Sequence, residues 1–370
     1  IKREIETPFF FNNHMLNLIF TLGESGVRNL FAAGELEHRK LNRNHRESLE
    51  GQNINMTSAF KTLFDMYEQM ADISDREGIP LNEVAVRFGY NFSSVNRMQM
   101  LGGYNPQASK LLREVLLPTW STLDLSSNSE HIKGFELSMA QALGIKVHKL
   151  GPEKSSLELD TKLKGEFAPL IKYMTTWMDE NDTSTEQSGK NMTMLDADHL
   201  ANLFSKTSLK TASPLAIHAL TEHIRYTRAE AAERAAFKTA LYLEADGVTN
   251  GPFNALNIFT IGNFKEQWVK MVKKGGMAFG GVKALHELDT GPDTYETVTS
   301  ATSDQIRGMQ GMMAAQGNAA ELKQMTTAVY SLLDMLVEGV TYHEDEVGLT
   351  RAVTKNPLTV FLYGSSAKGI

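Results

Sequence analysis

Between Thr57 and Asp75 the apolar positions fall at Phe60, Leu63, Phe64, Tyr67 and Met70. Steps of three and four predict a helix with one packed face. Residues 1–88 as a whole read as mostly helical. The pattern changes at 89–104, where Tyr90, Phe92 and Val95 lead into Met98-Gln-Met-Leu and end at Gly102-Gly103. That predicts a strand or hairpin edge closed by a glycine turn. Asn105-Pro106 then predicts a helix start, with Asn as N-cap and Pro in the first turn. Residues 131–235 read as helical, with a polar loop at 179–193. Phe237 to Ala245 is apolar and strand-like and runs into Asp246-Gly247. Gly251-Pro252 opens another helix through Leu256 and Phe259, and 285–305 and 341–349 read as acidic connectors around a helix near 320–338. There is no internal repeat. The elements add up to a mostly helical α+β chain.

Composition narrows the chemistry. At 370 residues the chain has room for two or three domains, and 42% hydrophobic content supports a packed core. It has no cysteine, which excludes disulfides, thiolate zinc sites and cysteine nucleophiles. No run of about 18 apolar residues exists, so no membrane-spanning helix is predicted. The N-terminal Pro8-Phe-Phe-Phe-Asn-Asn-His-Met-Leu has no small-residue cleavage site and is not a signal peptide. Because the first residue is Ile1, the chain is expected to be cut from a longer polypeptide. The net charge of -7 argues at first against nucleic acid. Residues 177–200 carry -5 and residues 287–350 carry -9, which leaves +7 on the remainder. A basic groove between acidic outer surfaces fits that distribution.

Three constellations could carry chemistry. In Leu241-Tyr-Leu-Glu-Ala-Asp246-Gly247-Val-Thr-Asn-Gly251-Pro252 an apolar strand delivers a carboxylate at its end, and glycine follows at once. The strand holds the carboxylate, and the glycine lets an ion or phosphate approach the backbone. Mg2+ takes one or two carboxylates and completes its shell with substrate phosphates. The plainer alternative is an ordinary Asp-Gly turn. In the C-terminal stretch, Arg351 and Lys355 lie four apart and would share one helix face. Tyr363 comes eight residues later, about two turns on, with Gly364 beside it. Two cations can take phosphates, a phenol can sit near a sugar, and glycine leaves room for both. Thr-Val-Phe-Leu-Tyr favours a strand, however, and Pro357 removes a backbone donor, so 358–363 reads locally as strand. A solvated basic pair beside a buried apolar segment would explain the same residues. Third, Arg97 leaves a strand edge beside a glycine turn and a helix start, where it could hold a nucleic-acid backbone or be simply a surface arginine.

Other motifs fall away. Gly275-Gly-Met-Ala-Phe-Gly-Gly281 lacks the Lys-Ser/Thr of a phosphate loop. His218 and His223 are five apart, about 140° around a helix, which is wrong for a shared zinc. Lys265, Lys270, Lys273 and Lys274 with Phe264 and Trp268 read as a solvated basic helix face.

In this order, the three constellations resemble the single-subunit, bacteriophage-type DNA-dependent RNA polymerases. The wording is nearest to the virion-packaged polymerases of N-four-like podoviruses. The matching stretches are Asn-Arg-Met-Gln-Met-Leu-Gly, Tyr-Asn-Pro-Gln, Glu-Ala-Asp-Gly-Val-Thr-Asn-Gly-Pro and Lys-Asn-Pro-Leu-Thr. The resemblance implies that Asp246 is the first catalytic carboxylate and binds two Mg2+ ions, assisted by the Gly247 carbonyl. Arg351 and Lys355 become the triphosphate pair of a fingers helix, distorted at Pro357. Tyr363 senses the ribose 2′-hydroxyl next to Gly364, and Arg97 contacts template or hybrid. The family's arginine motif normally has glycine before the arginine and threonine or aspartate four before, where this chain has Asn96 and Ser93.

The implied fold is a right-hand polymerase of thumb, palm and fingers. Residues 1–88 form a thumb-like region, 89–130 the first part of the palm, and 131–235 a helical insertion. Residues 236–256 carry the catalytic palm strand, and 257–370 the fingers, truncated before the last palm motif. Gly251 stands where related DNA polymerases place a glutamate that blocks the 2′-hydroxyl, which favours RNA as product. The family's second metal carboxylate comes from a His-Asp pair downstream, and this chain has no His-Asp dipeptide. The expectation is DNA-templated RNA synthesis by a parent enzyme, with this chain inactive alone. Its partners would be template DNA, RNA product, ribonucleoside triphosphates and the remainder of the polymerase, in the virion and then the host cytoplasm, with no membrane. Two alternatives are a non-catalytic virion protein retaining a polymerase core, and a family-A DNA polymerase relative.

Overall fold

The computed structural model describes residues 6–31, 43–92, 98–102, 104–118, 122–126, 128–181, 192–243, 298–308, 340–342, 345–347, 349–350 and 354–355. The chain divides into two units, Ile1–Glu244 and Ala245–Ile370. The described residues are mostly helical, and their strands form two-stranded antiparallel ladders.

In the first unit, β1 (Phe9–Phe11) buries Phe9 and Phe11 and leaves Phe10 half-buried, the alternation of a strand with one packed face. α1 (Asn13–Phe31), two helical stretches joined at a kink where Gly23 has φ 66°, follows and packs on α2 (Arg43–Glu77). The expected 57–75 stripe lies inside α2. Its Leu63 is fully buried, and Phe60, Phe64 and Tyr67 meet the edge of Phe20, yet Phe64 stays 43% exposed. Packing on one aromatic ring covers only part of that stripe.

The hairpin expected at 89–104 is present as β2 (Tyr90–Phe92) and β3 (Met98–Met100), with Gly102 at φ 97°. The helix expected to open at Asn105 does not. Asn105 Oδ1 accepts from the backbone N–H of Gln107 and Ala108, as an N-cap does. The chain makes one turn, however, and becomes extended at Ser109. The Ser109 side chain then caps α3 (Lys110–Val115). α3 runs directly into β4 (Leu116–Pro118), which pairs with β1.

After β5 (Leu123–Asp124) comes a helical array, with α4 (Ser129–Ala142), α5 (Val147–Leu150), α6 (Pro152–Lys164), α7 (Ala168–Glu180), α8 (Ala197–Ser205), α9 (Pro214–Arg228) and α10 (Ala231–Arg234). α4 starts on an Asn128 cap and ends in a Schellman turn: Gly144 N–H bonds Gln141 O and Ile145 N–H bonds Ala140 O, with Gly144 at φ 80°. α9 lies at the centre and packs on α1, α3, α4 and α7. It opens on a Ser213 cap with Pro214 in its first turn and ends on Arg225 and Arg228, the favourable order for the helix dipole. β6 (Lys238–Thr239) pairs with β5.

Of the strand expected over Phe237 to Ala245, the described residues form only the two-residue β6. β5 offers only two partners, and the Leu241 N–H bonds the Thr239 hydroxyl instead of a neighbouring strand.

In the second unit, residues 298–308 form α11, where an acidic connector was expected. β7 (Val340–Tyr342) and β8 (Asp345–Val347) form a hairpin within the other expected connector. The helices expected after Gly251-Pro252 and near 320–338 lie outside the described residues.

Candidate functional site

Of the residues singled out by sequence, Arg97, Asp246, Gly247, Arg351, Tyr363 and Gly364 lie outside the described residues. Lys355 is described. It is exposed and helical, at the end of a turn closed by the Thr354 N–H to the Thr350 carbonyl at 3.0 Å. The stretch 358–363 and the distortion expected at Pro357 are also outside the described residues. What can be built from contacts is the chain on either side of Arg97 and the chain leading to Asp246.

Met98, the residue after Arg97, starts β3. The Gln107 side chain lies along that strand as a substitute partner: its Nε2 donates to Met98 O at 3.1 Å and its Oε1 accepts from Met100 N at 2.7 Å. The Asn105 amide donates to the carbonyls of Met100 and Gly102. Arg113 reaches back from α3 to the carbonyls of Pro106 and Gln107. The Tyr-Asn-Pro-Gln motif therefore acts as a bracket for the hairpin: two side-chain amides satisfy backbone groups that a third strand would otherwise take.

The approach to Asp246 is held more deeply. Phe237 sits among Phe135 and Tyr226, with the Arg225 guanidinium 5.2 Å from its ring centroid. Its carbonyl accepts from Leu125 N–H. Thr239 is fully buried and donates its hydroxyl to Glu222 Oε2 at 2.7 Å. Arg225 pairs with the other Glu222 oxygen. Burial by itself raises the Glu222 carboxyl. The Arg225 charge, then His218 and the Thr239 hydroxyl, outweigh it and hold that carboxyl below its usual 4.5.

One turn earlier on α9, fully buried His218 lies 2.7 Å from Glu114 Oε2 through Nδ1. Its Nε2 is 3.3 Å from the Asn12 side-chain amide nitrogen. With Asn12 donating to Nε2, the ring proton sits on Nδ1 and is donated to Glu114. The remaining Glu114 oxygen accepts from the Tyr242 hydroxyl. Two carboxylates, on α3 and α9, thus each fasten the chain between Phe237 and Tyr242, and Asp246 follows four residues after Tyr242.

Sequence reading did not find this cluster. Its signal was there in form: Glu114 sits among Leu111, Leu112, Val115 and Leu116, and His218 and Glu222 are four apart beside the apolar Ile217, Leu220 and Ile224. Charged residues at apolar periodic positions mark buried pairs. Judging the histidine only against His223 as a zinc ligand hid it. Among the described residues no group of three or more His, Cys, Asp and Glu side chains is arranged to hold a metal ion.

Three family models match successive stretches of the chain. A "Virion DNA-directed RNA polymerase domain" matches residues 1–116. "Virion DNA-directed RNA polymerase, plug insertion" matches 133–227, and "Bacteriophage N4 RNA polymerase, helical domain" matches 301–370. The virion DNA-directed RNA polymerase of Enterobacteria phage N4 is 35% identical over 373 aligned residues, covering 100% of this chain. The chain spans 10% of that relative's length.

Proposed function

Since this chain belongs with the N4-like virion DNA-directed RNA polymerases, matching one segment of them, we propose that it supplies the first catalytic carboxylate and the nucleotide grip of a templated RNA-synthesising enzyme. The observation that carries this is the 35% identity along the whole chain, together with Asp246-Gly247 and Arg351, Lys355 and Tyr363 occurring in that order.

In this reading the chain forms part of a right-hand polymerase, with 236–256 in the palm and 257–370 in the fingers. The Asp246 carboxylate and the Gly247 carbonyl hold Mg2+, a hard ion suited to such oxygen donors. Mg2+ held there would supply positive charge for the oxygens of phosphoryl transfer. Arg351 and Lys355 bind the triphosphate oxygens, and charge-assisted hydrogen bonds suit them to it. Tyr363 sits against the ribose, Gly364 leaves the backbone close to it, and Gly251 leaves the 2′-hydroxyl unobstructed. Arg97, at the hairpin bracketed by Gln107 and Asn105, holds the template or hybrid backbone. No His-Asp dipeptide occurs in these 370 residues, so the second metal carboxylate is contributed by residues outside them.

The test uses the full polymerase with template DNA, ribonucleotides and Mg2+. Asp246→Asn should abolish templated RNA synthesis while template binding persists, and Tyr363→Phe should raise deoxynucleotide incorporation. Wild-type synthesis by Asp246→Asn would remove the reading and leave this segment a non-catalytic part of the enzyme. Templated synthesis by residues 1–370 alone would refute the external second carboxylate.

A further inference from the structure

We infer that α8 and α9, both in the stretch matched by the plug-insertion model, are latched to α1 of the preceding domain, so that they travel with α1 and α2 as one rigid body while the polymerase works. The inference rests on the proposed function only in using templated RNA synthesis as one readout, and it does not depend on the role given to Asp246.

The first latch sits at the break in α1. At Gly23 the backbone leaves helical angles, with φ 66° and ψ 176°, a conformation that suits glycine. In an unbroken helix the Thr21 carbonyl would accept from the residue four ahead. Here it accepts from the Leu195 N–H at 3.3 Å, just before α8 begins. Beyond the break, Gly26 lets α8 approach closely, since a Cβ built on it would lie 3.2 Å from Ala197 Cβ. Leu195, Ala197, Leu200 and Phe204 are all buried.

The second latch holds the start of α1. Asn12 Oδ1 accepts from the Met15 N–H in the first turn, and its amide nitrogen lies 3.3 Å from His218 Nε2 on α9. The same histidine reaches Glu114 on α3 through Nδ1. α1 is thus gripped at its first turn and at its kink. Phe20 lies between the two grips, and its ring meets Phe60, Phe64 and Tyr67 of α2 edge-on. α2 is 35 residues long, about 50 Å, so α1 passes the grip on to a long lever. Moving α8 and α9 away would break the Leu195 bond and both of these His218 bonds together and uncover apolar side chains, which is strongly disfavoured.

The chain has no cysteine, so a pair of thiols can be introduced at the point of closest approach. In the full polymerase, Gly26→Cys together with Ala197→Cys brings two Cβ atoms within a few tenths of an ångström of the roughly 3.5–4.5 Å that a disulfide bridges. The expected result is ready disulfide formation, with kcat for templated RNA synthesis in the oxidised enzyme within about threefold of the same enzyme after reduction. A larger loss on oxidation that reduction restores would mean that α8 must leave α1 during synthesis, and it overturns the inference. A folded variant whose two thiols do not pair overturns it as well.

Should the double variant not fold, amide exchange in the wild-type polymerase decides, read for the enzyme alone and for the enzyme on template with ribonucleotides. The Leu195 amide and those of α8 should keep the same protection relative to α1 in both states. Faster exchange at Leu195 and α8 on template, with α1 unchanged, overturns the inference. Exchange needs no RNA product, so the two readings fail separately. A wild-type polymerase that makes no RNA sinks the proposed function, and exchange still decides the latch.

Discussion

Replacing Thr239 with valine isolates the contact between Glu222 and the chain that approaches Asp246. The two side chains have nearly the same shape, so the fully buried site is neither emptied nor overfilled. Two hydrogen bonds are lost: Thr239 Oγ1 to Glu222 Oε2 at 2.7 Å, and Leu241 N to Thr239 Oγ1 at 3.1 Å. A hydrogen bond to a charged group contributes roughly 1.5–3 kcal/mol, and a buried N–H left without a partner costs roughly 1–3 kcal/mol. The extra buried methyl offsets about 0.8 kcal/mol. The net loss is about 2–5 kcal/mol. Native-state hydrogen exchange on the α9 amides reads this loss for the Ile1–Glu244 unit without requiring the whole chain to unfold in one step.

The same substitution in a Glu222→Gln background separates the two bonds. The charge-assisted part should disappear and the Leu241 part remain, a coupling of about 1 kcal/mol or more. The Glu222 carboxyl is held below 4.5, so its stabilisation is complete above that pH and is lost as pH falls through the lower folded value. The Thr239→Val penalty should shrink over that same acid range. A penalty under about 0.5 kcal/mol at neutral pH, or one equally large with and without the Glu222 carboxylate, would refute this account of how residues 239–242 are held.

Two further outcomes follow from single sites. Gly144→Ala places a Cβ at positive φ and 2.8 Å from Leu209 Cδ2, and should destabilise the Ile1–Glu244 unit by about 1–3 kcal/mol in urea unfolding, unlike Gly51→Ala, whose added Cβ would meet nothing within 4 Å. Burial lowers the His223 imidazole below its usual 6.5, so stability is fully present above that pH and falls as pH drops towards the lower folded value; His223→Gln should flatten the stability profile there, and an unchanged profile counts against the burial.

Several features were legible in the sequence because the force behind each is local. The paired strands at 90–92 and 98–100 follow from alternation, with Gly102 ending the second at positive φ, and α2 follows from a three-and-four apolar spacing within one segment. Asn105 was rightly read as a capping side chain, but the helix it should have opened starts instead at Ser109. A cap shows where a turn begins, whereas how long the turn continues depends on what α3 packs against. The connector expected at 341–349 misled for a related reason. Its acidic composition concealed a strand pattern whose two halves match only when paired, Val340 with Val347 and Tyr342 with Asp345.

By itself the sequence determined the family, through short motifs in a required order. It also determined the helical character of the Ile1–Glu244 unit, through periodicity that each segment carries within itself. Tertiary structure alone decided how the chain before Asp246 is held. Glu114 is 104 residues from His218 and 128 from Tyr242. No local propensity links such positions. They meet because α9 is buried at the centre of the unit, where a charge must find partners, and the partners within reach are the ones that fasten residues 239–242.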